Sequence, residues 1–244
     1  MPARALFLRN DPTAREALLG EFLADAGFDI TTFAVVPPDG VADPTFEVSF
    51  PDPGGFDVIV PLGSRWAAHD DRLPWVAAEM DLVRLALQTG AGVLGVCFGG
   101  QLLARALGGT VARSPHPEIG WHEVRSRDST LVPDGPWFQW HFDRFTLPPG
   151  ATLIAENNCA PQAFVSGRAL GLQFHPELDR DLLEEWIADD TDGDIDRLGI
   201  DTDLLRERTD AEAGDAARRL RLLVKGFLGM LGEHGANHAP HPAP

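Results

Sequence analysis

The stretch GVLGVCFGGQLLARALGG, residues 92–109, contains a short apolar run, one cysteine and a helical pattern in immediate succession. The apolar run at 91–96 predicts a strand that is buried on both faces. Leucine and alanine then recur at helical spacing, and Gly108 and Gly109 follow the last turn, so a helix is predicted directly after the strand. Cys97 therefore lies at a predicted strand-to-helix junction.

The residues around Cys97, Gly95-Val96-Cys97-Phe98-Gly99, have the layout of a nucleophile elbow with sulfur in place of the serine oxygen. The glycines relieve crowding around a strained backbone. At a helix N-terminus the unpaired N–H groups favour the thiolate, which is the reactive form of cysteine. A buried structural cysteine is the alternative and the commoner role of an intracellular cysteine, but the flanking glycines favour the nucleophile.

A histidine and a glutamate end a second apolar run, in ALGLQFHPEL at residues 169–178. This run predicts a strand, which Pro176 stops because proline has no N–H to donate to a sheet. His175 can point one ring nitrogen at Cys97 while Glu177 accepts the N–H of the other nitrogen. The arrangement requires two neighbouring strands whose carboxyl ends share a crevice. Without the cysteine motif, the tripeptide would be interpreted as a strand-ending loop.

Together, these motifs resemble those of the class I glutamine amidotransferases, which carry a Gly-x-Cys-x-Gly-x-Gln elbow and a late His-Pro-Glu. Here they occupy residues 95–101 and 175–177, and the resemblance extends from about residue 55 to about residue 190. Within the family, the chain is most similar to free-standing members related to the amidotransferase domain of GMP synthase, a group that includes γ-glutamyl peptidase-type hydrolases. The resemblance implies a flavodoxin-like, three-layer α/β sandwich with a mostly parallel central sheet.

Carried over to this chain, the resemblance makes Cys97 the nucleophile, His175 the base and Glu177 its orienting group. Cys97 would take the γ-glutamyl group of glutamine as a thioester and release ammonia, and water activated by His175 would then free glutamate. No cofactor and no metal enters this chemistry.

The oxyanion of this reaction needs two backbone donors, and the resemblance places them in two segments. One is the N–H of Phe98, directly after the nucleophile, and the other comes from the loop PLGSRW at residues 61–66. Many family members have Gly-Gly-Pro where this chain has Gly63, Ser64 and Arg65. A residue other than glycine restricts a backbone flip, so the second donor is expected to be either Gly63 or Ser64.

Four further residues are expected to bind the substrate by the same resemblance: Gln101, His141, Phe142 and Asp143. Gln101 lies one helical turn after Cys97 and would otherwise be an exposed helix glutamine. For His141, a hydrogen-bonded wall residue is the favoured role over a catalyst, and Asp143 is the better ligand candidate. Glu118 matches a family position near the site, but it is expected to be an exposed loop carboxylate and is not assigned a catalytic role.

Composition excludes several classes of protein. At 244 residues and 44% hydrophobic, the chain can bury one sizeable core. Its two cysteines do not make a disulfide framework, and no stretch reaches the length of a membrane helix, so a cytoplasmic protein is expected. A formal charge of −17 disfavours nucleic acid and anionic membranes as partners.

Alternating strand and helix patterns in the first half predict a parallel sheet. Closely spaced short strands after the cysteine helix predict a small antiparallel addition. One amidotransferase-like domain over residues 1–232 is predicted, followed by a flexible tail at 233–244, which is rich in proline and alanine. The acidic segment DDTDGDID at 189–196 is interpreted as a solvated turn between two helices.

Three functions remain open at this point. The first is a glutamine amidotransferase that hydrolyses glutamine for a separate ammonia-accepting synthetase. The second is a stand-alone hydrolase that acts on another γ-glutamyl amide or peptide through the same thioester. The third is a catalytically idle binding protein, which an intact Cys97, His175 and Glu177 disfavour.

Overall fold

The computed structural model describes residues 2–191 and 193–236. Within them, a nine-stranded mixed sheet is covered by helices on both faces. The strands, in chain order, are β1 (Ala3–Arg9), β2 (Phe28–Ala34), β3 (Val58–Pro61), β4 (Gly92–Val96), β5 (Val111–Ser126), β6 (Gly135–Phe145), β7 (Thr152–Glu156), β8 (Pro161–Ser166) and β9 (Ala169–Leu172).

The sheet has a parallel half and an antiparallel half. Its strand order is β2-β1-β3-β4-β9-β8-β7-β5-β6. Every pairing from β2 to β9 is parallel, and every pairing from β9 to β6 is antiparallel. The predicted α/β class, with a parallel sheet and an antiparallel addition, is confirmed. The addition comprises β8, β7, β5 and β6, of which β5 and β6 form a long hairpin.

Helices pack on both faces because the strands alternate apolar side chains between them. In β1, Ala5 and Phe7 face the core under α1 (Ala17–Asp25) and α6 (Thr202–Ala236), whereas Leu6 and Leu8 face the core under α2 (Pro74–Gln88) and α3 (Phe98–Ala106). No helix in the described ranges is both long and apolar enough to cross a membrane. The remaining α-helices are α4 (Arg180–Ala188) and α5 (Asp194–Leu198).

The C-terminal boundary differs from the predicted one. Helix α6 continues through residue 232 to Ala236, so it overlaps the start of the predicted tail at 233–244. Residues 237–244 lie outside the described ranges, and the single domain over 1–232 stays a prediction.

The carboxyl ends of β1, β3, β4 and β9 meet at one edge of the parallel half. The segments that follow these strands therefore converge on one crevice, which is where ligands bind in open α/β folds. The converging segments begin at Asn10, Leu62, Cys97 and Gln173.

Candidate active site

Cys97 occupies the predicted elbow between β4 and α3, and its backbone is strained. Its φ of 51° and ψ of −105° lie where side chains are rarely tolerated. The neighbouring glycines make this turn sterically possible. A Cβ on Gly99 would lie 2.0 Å from the Pro61 carbonyl oxygen, and one on Gly100 would lie 2.1 Å from that of Leu172. Glycine is therefore required at both positions because the elbow packs directly against the backbone of β3 and β9.

Strand pairing brings His175 to the cysteine. Val96 lies opposite Leu172 in the parallel β4–β9 pair, and the Cys97 N–H donates to the Leu172 carbonyl at 3.0 Å. His175 and Cys97 then line the same cavity. The Nδ1 atom of His175 lies 2.7 Å from Glu177 Oε1, and both side chains are buried. The distance is that of a charge-assisted hydrogen bond.

The surroundings of His175 favour its charged form. Burial alone would lower the pKa of the imidazole, but the nearby charges of Glu177 and Cys97, with hydrogen bonds to both, raise it well above its ordinary value of 6.5. The indole of Trp186 packs edge-on against the imidazole, with 4.7 Å between ring centroids. The ring is thus held from two sides, by a carboxylate and by an aromatic wall.

The segment 61–66, called here the oxyanion loop after its predicted role, passes beside the histidine. A Cβ on Gly63 would lie 2.9 Å from His175 Cε1, which explains the glycine. In the part of the chain that the structure describes, the N–H groups of Gly63 and Ser64 find no acceptor, and both residues line the cavity. The Ser64 hydroxyl donates to the Asn10 carbonyl oxygen at 3.1 Å, which anchors the loop to the end of β1.

Arg65 joins three segments of the chain. Its guanidinium donates to Asp11 from Nε at 2.6 Å and from Nη2 at 3.0 Å, and it also pairs with Asp189 after α4. Burial would raise the pKa of Asp11, but hydrogen bonds from Arg65 and Thr13 lower it below its ordinary value. The ion pairs therefore tie the oxyanion loop to the chain on both sides of the crevice.

The predicted substrate residues lie together along α3 and β6. Gln101 is buried, not an exposed helix glutamine, and its Nε2 donates to the Asp143 carbonyl oxygen at 3.1 Å. His141 Nδ1 lies 3.0 Å from that same carbonyl oxygen, as expected of a hydrogen-bonded wall residue. The Asp143 side chain is buried, and its Oδ1 has no hydrogen-bond partner among residues 2–191 and 193–236. Phe142 is half-buried and also lines the cavity.

The expectation for Glu118 was wrong, because β5 and β6 form a long hairpin that buries it. Its carboxylate is 2% exposed and accepts from Asn157 at 2.7 Å and Gln162 at 3.2 Å. The His141 Nε2 atom lies 3.3 Å away but is poorly aligned for a hydrogen bond. Burial raises the pKa of Glu118, but His141 and the other partners lower it overall. Glu118 therefore supports the wall residue His141 from behind the cavity.

The cavity has a volume of about 470 Å³, within the range of about 300–1,000 Å³ that is typical of ligand pockets. Its mouth is lined by Arg113 and Arg197, whose guanidinium carbons lie 4.6 and 5.7 Å from the Phe142 ring centroid. The acidic segment 189–196 is not simply a solvated turn. Asp189, Asp190 and Asp194 form part of the cavity wall, because the Arg65 ion pair draws this segment over the crevice.

Sequence reasoning missed Asn10, Arg113 and Arg197. Asn10 had a usable signal, since a polar residue directly after a buried parallel strand lies at the edge where ligands bind. Arg113 and Arg197 had no such signal in the sequence, because they lie 84 positions apart and only the fold brings both side chains to Phe142.

The fold and site define an α/β protein with a cysteine at a nucleophile elbow, beside a buried histidine–glutamate pair. The chain belongs to the class-I glutamine amidotransferase family, whose model matches residues 58–189, more than half of its length.

Relatives from three organisms illustrate the family. The glutamine-hydrolyzing GMP synthase of Aeropyrum pernix is 38% identical over 140 residues, covering 52% of this chain and 25% of the relative. A glutamine amidotransferase-like protein of Penicillium rubens is 31% identical over 176 residues, covering 65% of this chain and 72% of the relative. The crystal structure of a glutamine amidotransferase from Thermotoga maritima is 27% identical, with a TM-score of 0.81 over 93% of this chain and 99% of that one. The chain thus spans about a quarter of the GMP synthase.

Proposed function

We propose that this protein hydrolyses the side-chain amide of glutamine through a thioester on Cys97, releasing ammonia and then glutamate. The observation that carries the proposal is that Cys97 and His175 line the same cavity, while the buried Glu177 carboxylate lies 2.7 Å from His175 Nδ1. Family membership supports the same chemistry. Free thiols at Cys97 and Cys159 fit a reducing compartment, which we propose is the cytoplasm.

In this mechanism, the Cys97 thiolate attacks the amide carbon and forms a tetrahedral intermediate. The imidazolium of His175 donates its proton to the departing nitrogen, and ammonia leaves as the thioester forms. Neutral His175 then takes a proton from water, which attacks the thioester carbon, and the proton returns to the sulfur as glutamate is freed. Glu177 keeps the proton on Nδ1 and stabilises the imidazolium.

The oxyanion of each tetrahedral intermediate is proposed to bind the N–H of Phe98 and the N–H of Gly63 or Ser64. Phe98 is the first residue of α3, so its N–H has no acceptor within the helix. Gly63 and Ser64 line the same cavity. Donors that are fixed before the reaction cost no reorganisation when the charge develops.

The other end of glutamine is proposed to bind along β6. Asp143 is a suitable acceptor for the α-ammonium group, because its carboxylate is buried and its Oδ1 makes no hydrogen bond to a described residue, although Arg113 Nη1 lies 3.9 Å from it. His141 and Gln101 both hydrogen-bond the Asp143 carbonyl and so keep this part of β6 in place. Phe142 is proposed to contribute an apolar contact.

The ammonia is proposed to pass to a separate synthetase. The Aeropyrum pernix relative is a glutamine-hydrolyzing GMP synthase, and this chain matches about a quarter of it. An acceptor partner is therefore part of the proposal, whereas neither nucleic acid nor a membrane is.

A γ-glutamyl amide or peptide larger than glutamine is the second candidate substrate. The observation that favours it is the pair of arginines at the cavity mouth. The side chains of Arg113 and Arg197 are 66% and 55% exposed, and both contact Phe142. A carboxylate on the leaving amine would meet these guanidinium groups. A catalytically idle binding protein is disfavoured, since it would not need the strained backbone at Cys97.

The test is covalent labelling with the diazoketone analogue of glutamine, followed by intact-protein mass spectrometry. We expect one adduct on the wild type and on Cys159→Ala, and none on Cys97→Ala. Steady-state release of glutamate then separates the two substrates. Turnover of glutamine supports the amidotransferase, and turnover of γ-glutamyl dipeptides alone supports the hydrolase. Equal turnover by wild type and Cys97→Ala would refute the thioester mechanism.

A further inference from the structure

Behind the oxyanion loop lies a buried polar pair to which the proposed mechanism assigns no role. Glu79 of α2 and Asn10 after β1 are both completely buried. The Asn10 Nδ2 atom donates to Glu79 Oε1 at 3.1 Å. Among the described side chains, no cation pairs with Glu79, although an isolated buried carboxylate is expensive. The burial of the Glu79 carboxyl group without a cationic partner therefore requires a physical explanation.

The Asn10 amide is placed to hold the oxyanion loop. Its Nδ2 also donates to the Leu62 carbonyl oxygen at 3.1 Å, and the Gly99 N–H donates to the same oxygen at 3.2 Å. The Asn10 carbonyl in turn accepts from the Ser64 hydroxyl. Asn10 thus links the end of β1 to Leu62 and Ser64, the residues on either side of Gly63. Through the Leu62 carbonyl it is also linked to α3, the helix that follows Cys97.

Two buried oxygen atoms of this pair lack hydrogen-bond partners among the described residues, and one added proton would satisfy both of them. Asn10 Oδ1 and Glu79 Oε2 are buried, with no hydrogen bond to any described residue. Both are acceptors when Glu79 is ionised, so neither can satisfy the other. A proton on Oε2 makes it a donor, and the acid and the amide can then form two parallel hydrogen bonds. The second amide N–H remains directed at Leu62.

We propose that Glu79, as a neutral carboxylic acid, is a positioning residue: it fixes the Asn10 amide and through it the oxyanion loop. The catalytic role that this inference gives to the loop rests on the proposed function. An ionised Glu79 loses the donor to Asn10 Oδ1, so the amide is no longer fixed in one orientation. The donors at Gly63 and Ser64 then move relative to the reacting carbon, and small displacements of this kind reduce rates strongly.

The electrostatic surroundings agree with a neutral acid. Burial raises the pKa of Glu79 to about 8, and the hydrogen bond from Asn10 opposes this only in part. Charged groups on its own helix and on the elements around it have other partners: Asp81 with Arg84, Asp11 with Arg65, Arg105 with Asp71, and Asp52 with the Gly54 N–H.

The experiment compares glutamine hydrolysis from pH 6 to 10 by wild type, Glu79→Gln and Glu79→Leu. At pH 7 we expect kcat to fall about 10- to 100-fold in Glu79→Leu, with KM nearly unchanged. Glu79→Gln keeps a neutral group that both donates and accepts, so it should retain most of the wild-type kcat. Wild type should lose activity as the pH rises through about 8, the pKa of Glu79, and Glu79→Gln should not. Asp81→Asn, on the same helix but exposed, is the matched control.

A second readout, amide hydrogen exchange at residues 62–66, does not depend on turnover. We expect faster exchange in Glu79→Leu than in wild type or Glu79→Gln, with all variants folded by circular dichroism. The proposal is overturned if Glu79→Leu matches wild type in both readouts, or if Glu79→Gln is as impaired as Glu79→Leu. If wild type hydrolyses no glutamine, the proposed function fails, and exchange in the loop still decides whether Glu79 positions it.

Discussion

Replacing Glu177 by glutamine removes one charge from a buried pair and leaves its shape nearly unchanged. In the wild type, Glu177 Oε1 lies 2.7 Å from His175 Nδ1, with both side chains at most 4% exposed. The amide either accepts the Nδ1 proton without a negative charge or presents its NH₂ group and forces the other tautomer. Both outcomes weaken the imidazolium that forms during attack by Cys97.

The size of the effect follows from this geometry. A hydrogen bond to a charged group contributes about 1.5–3 kcal/mol, and the bond between Glu177 and His175 is of this kind. Each 1.36 kcal/mol is tenfold in rate, so kcat should fall about 10- to 150-fold. The pKa of His175 should fall as well, because the charge of Glu177 is one of the causes that raise it. In a Glu79→Gln background, where Glu79 sets no limit near pH 8, the alkaline limit of activity should then move to lower pH.

The assay is steady-state glutamate release across pH, with thermal unfolding measured in parallel. Glu185→Gln on α4 is the matched control, because Glu185 is half-exposed and pairs with Arg15 away from the cavity. It should behave as wild type. A Glu177→Gln protein that is folded and has wild-type kcat would refute the role assigned to Glu177.

Three further outcomes are expected. Gly99→Ala should lower the free energy of unfolding by about 3 kcal/mol in urea titrations, since its Cβ would meet the Pro61 carbonyl, whereas Gly229→Ala has open space and should not. Arg197 pairs with Asp194 and not with Asp143, so Arg197→Ala should lower kcat/KM for γ-glutamyl dipeptides about two- to fivefold and leave glutamine unaffected; equal losses would contradict a carboxylate subsite. Folding raises the pKa of Glu79 from 4.5 to about 8. Between these two pH values the folded protein keeps the Glu79 proton and the unfolded chain loses it, so the free energy of unfolding falls as the pH rises from 4.5 to 8. Relative to Glu79→Gln, wild type should lose up to about 5 kcal/mol between pH 4.5 and 8 in urea titrations; parallel curves would contradict a buried neutral acid.

The local parts of this protein could be predicted from its sequence. The apolar run before Cys97 and the glycines after it determine a buried strand, a sharp turn and a helix, because each depends on residues that are close in the chain. His175 and Glu177 are two residues apart, so their hydrogen bond is also local. The motifs and the family resemblance predicted that Cys97 and His175 lie together, and in the structure both line one cavity beside the parallel β4–β9 pair.

The supports of the site could not be predicted in this way, since they join segments that are distant in the chain. The Asn10–Glu79 pair spans 69 residues and the Arg65–Asp189 pair spans 124. Glu118 is buried only because β5 folds against β6, which a local pattern of polar residues does not reveal. Periodicity and turn preferences are properties of neighbouring residues, and they determined the strands, the helices and the elbow. Desolvation and charge pairing depend on which elements pack together, so only the tertiary structure decided which carboxyl groups are buried and what they hold.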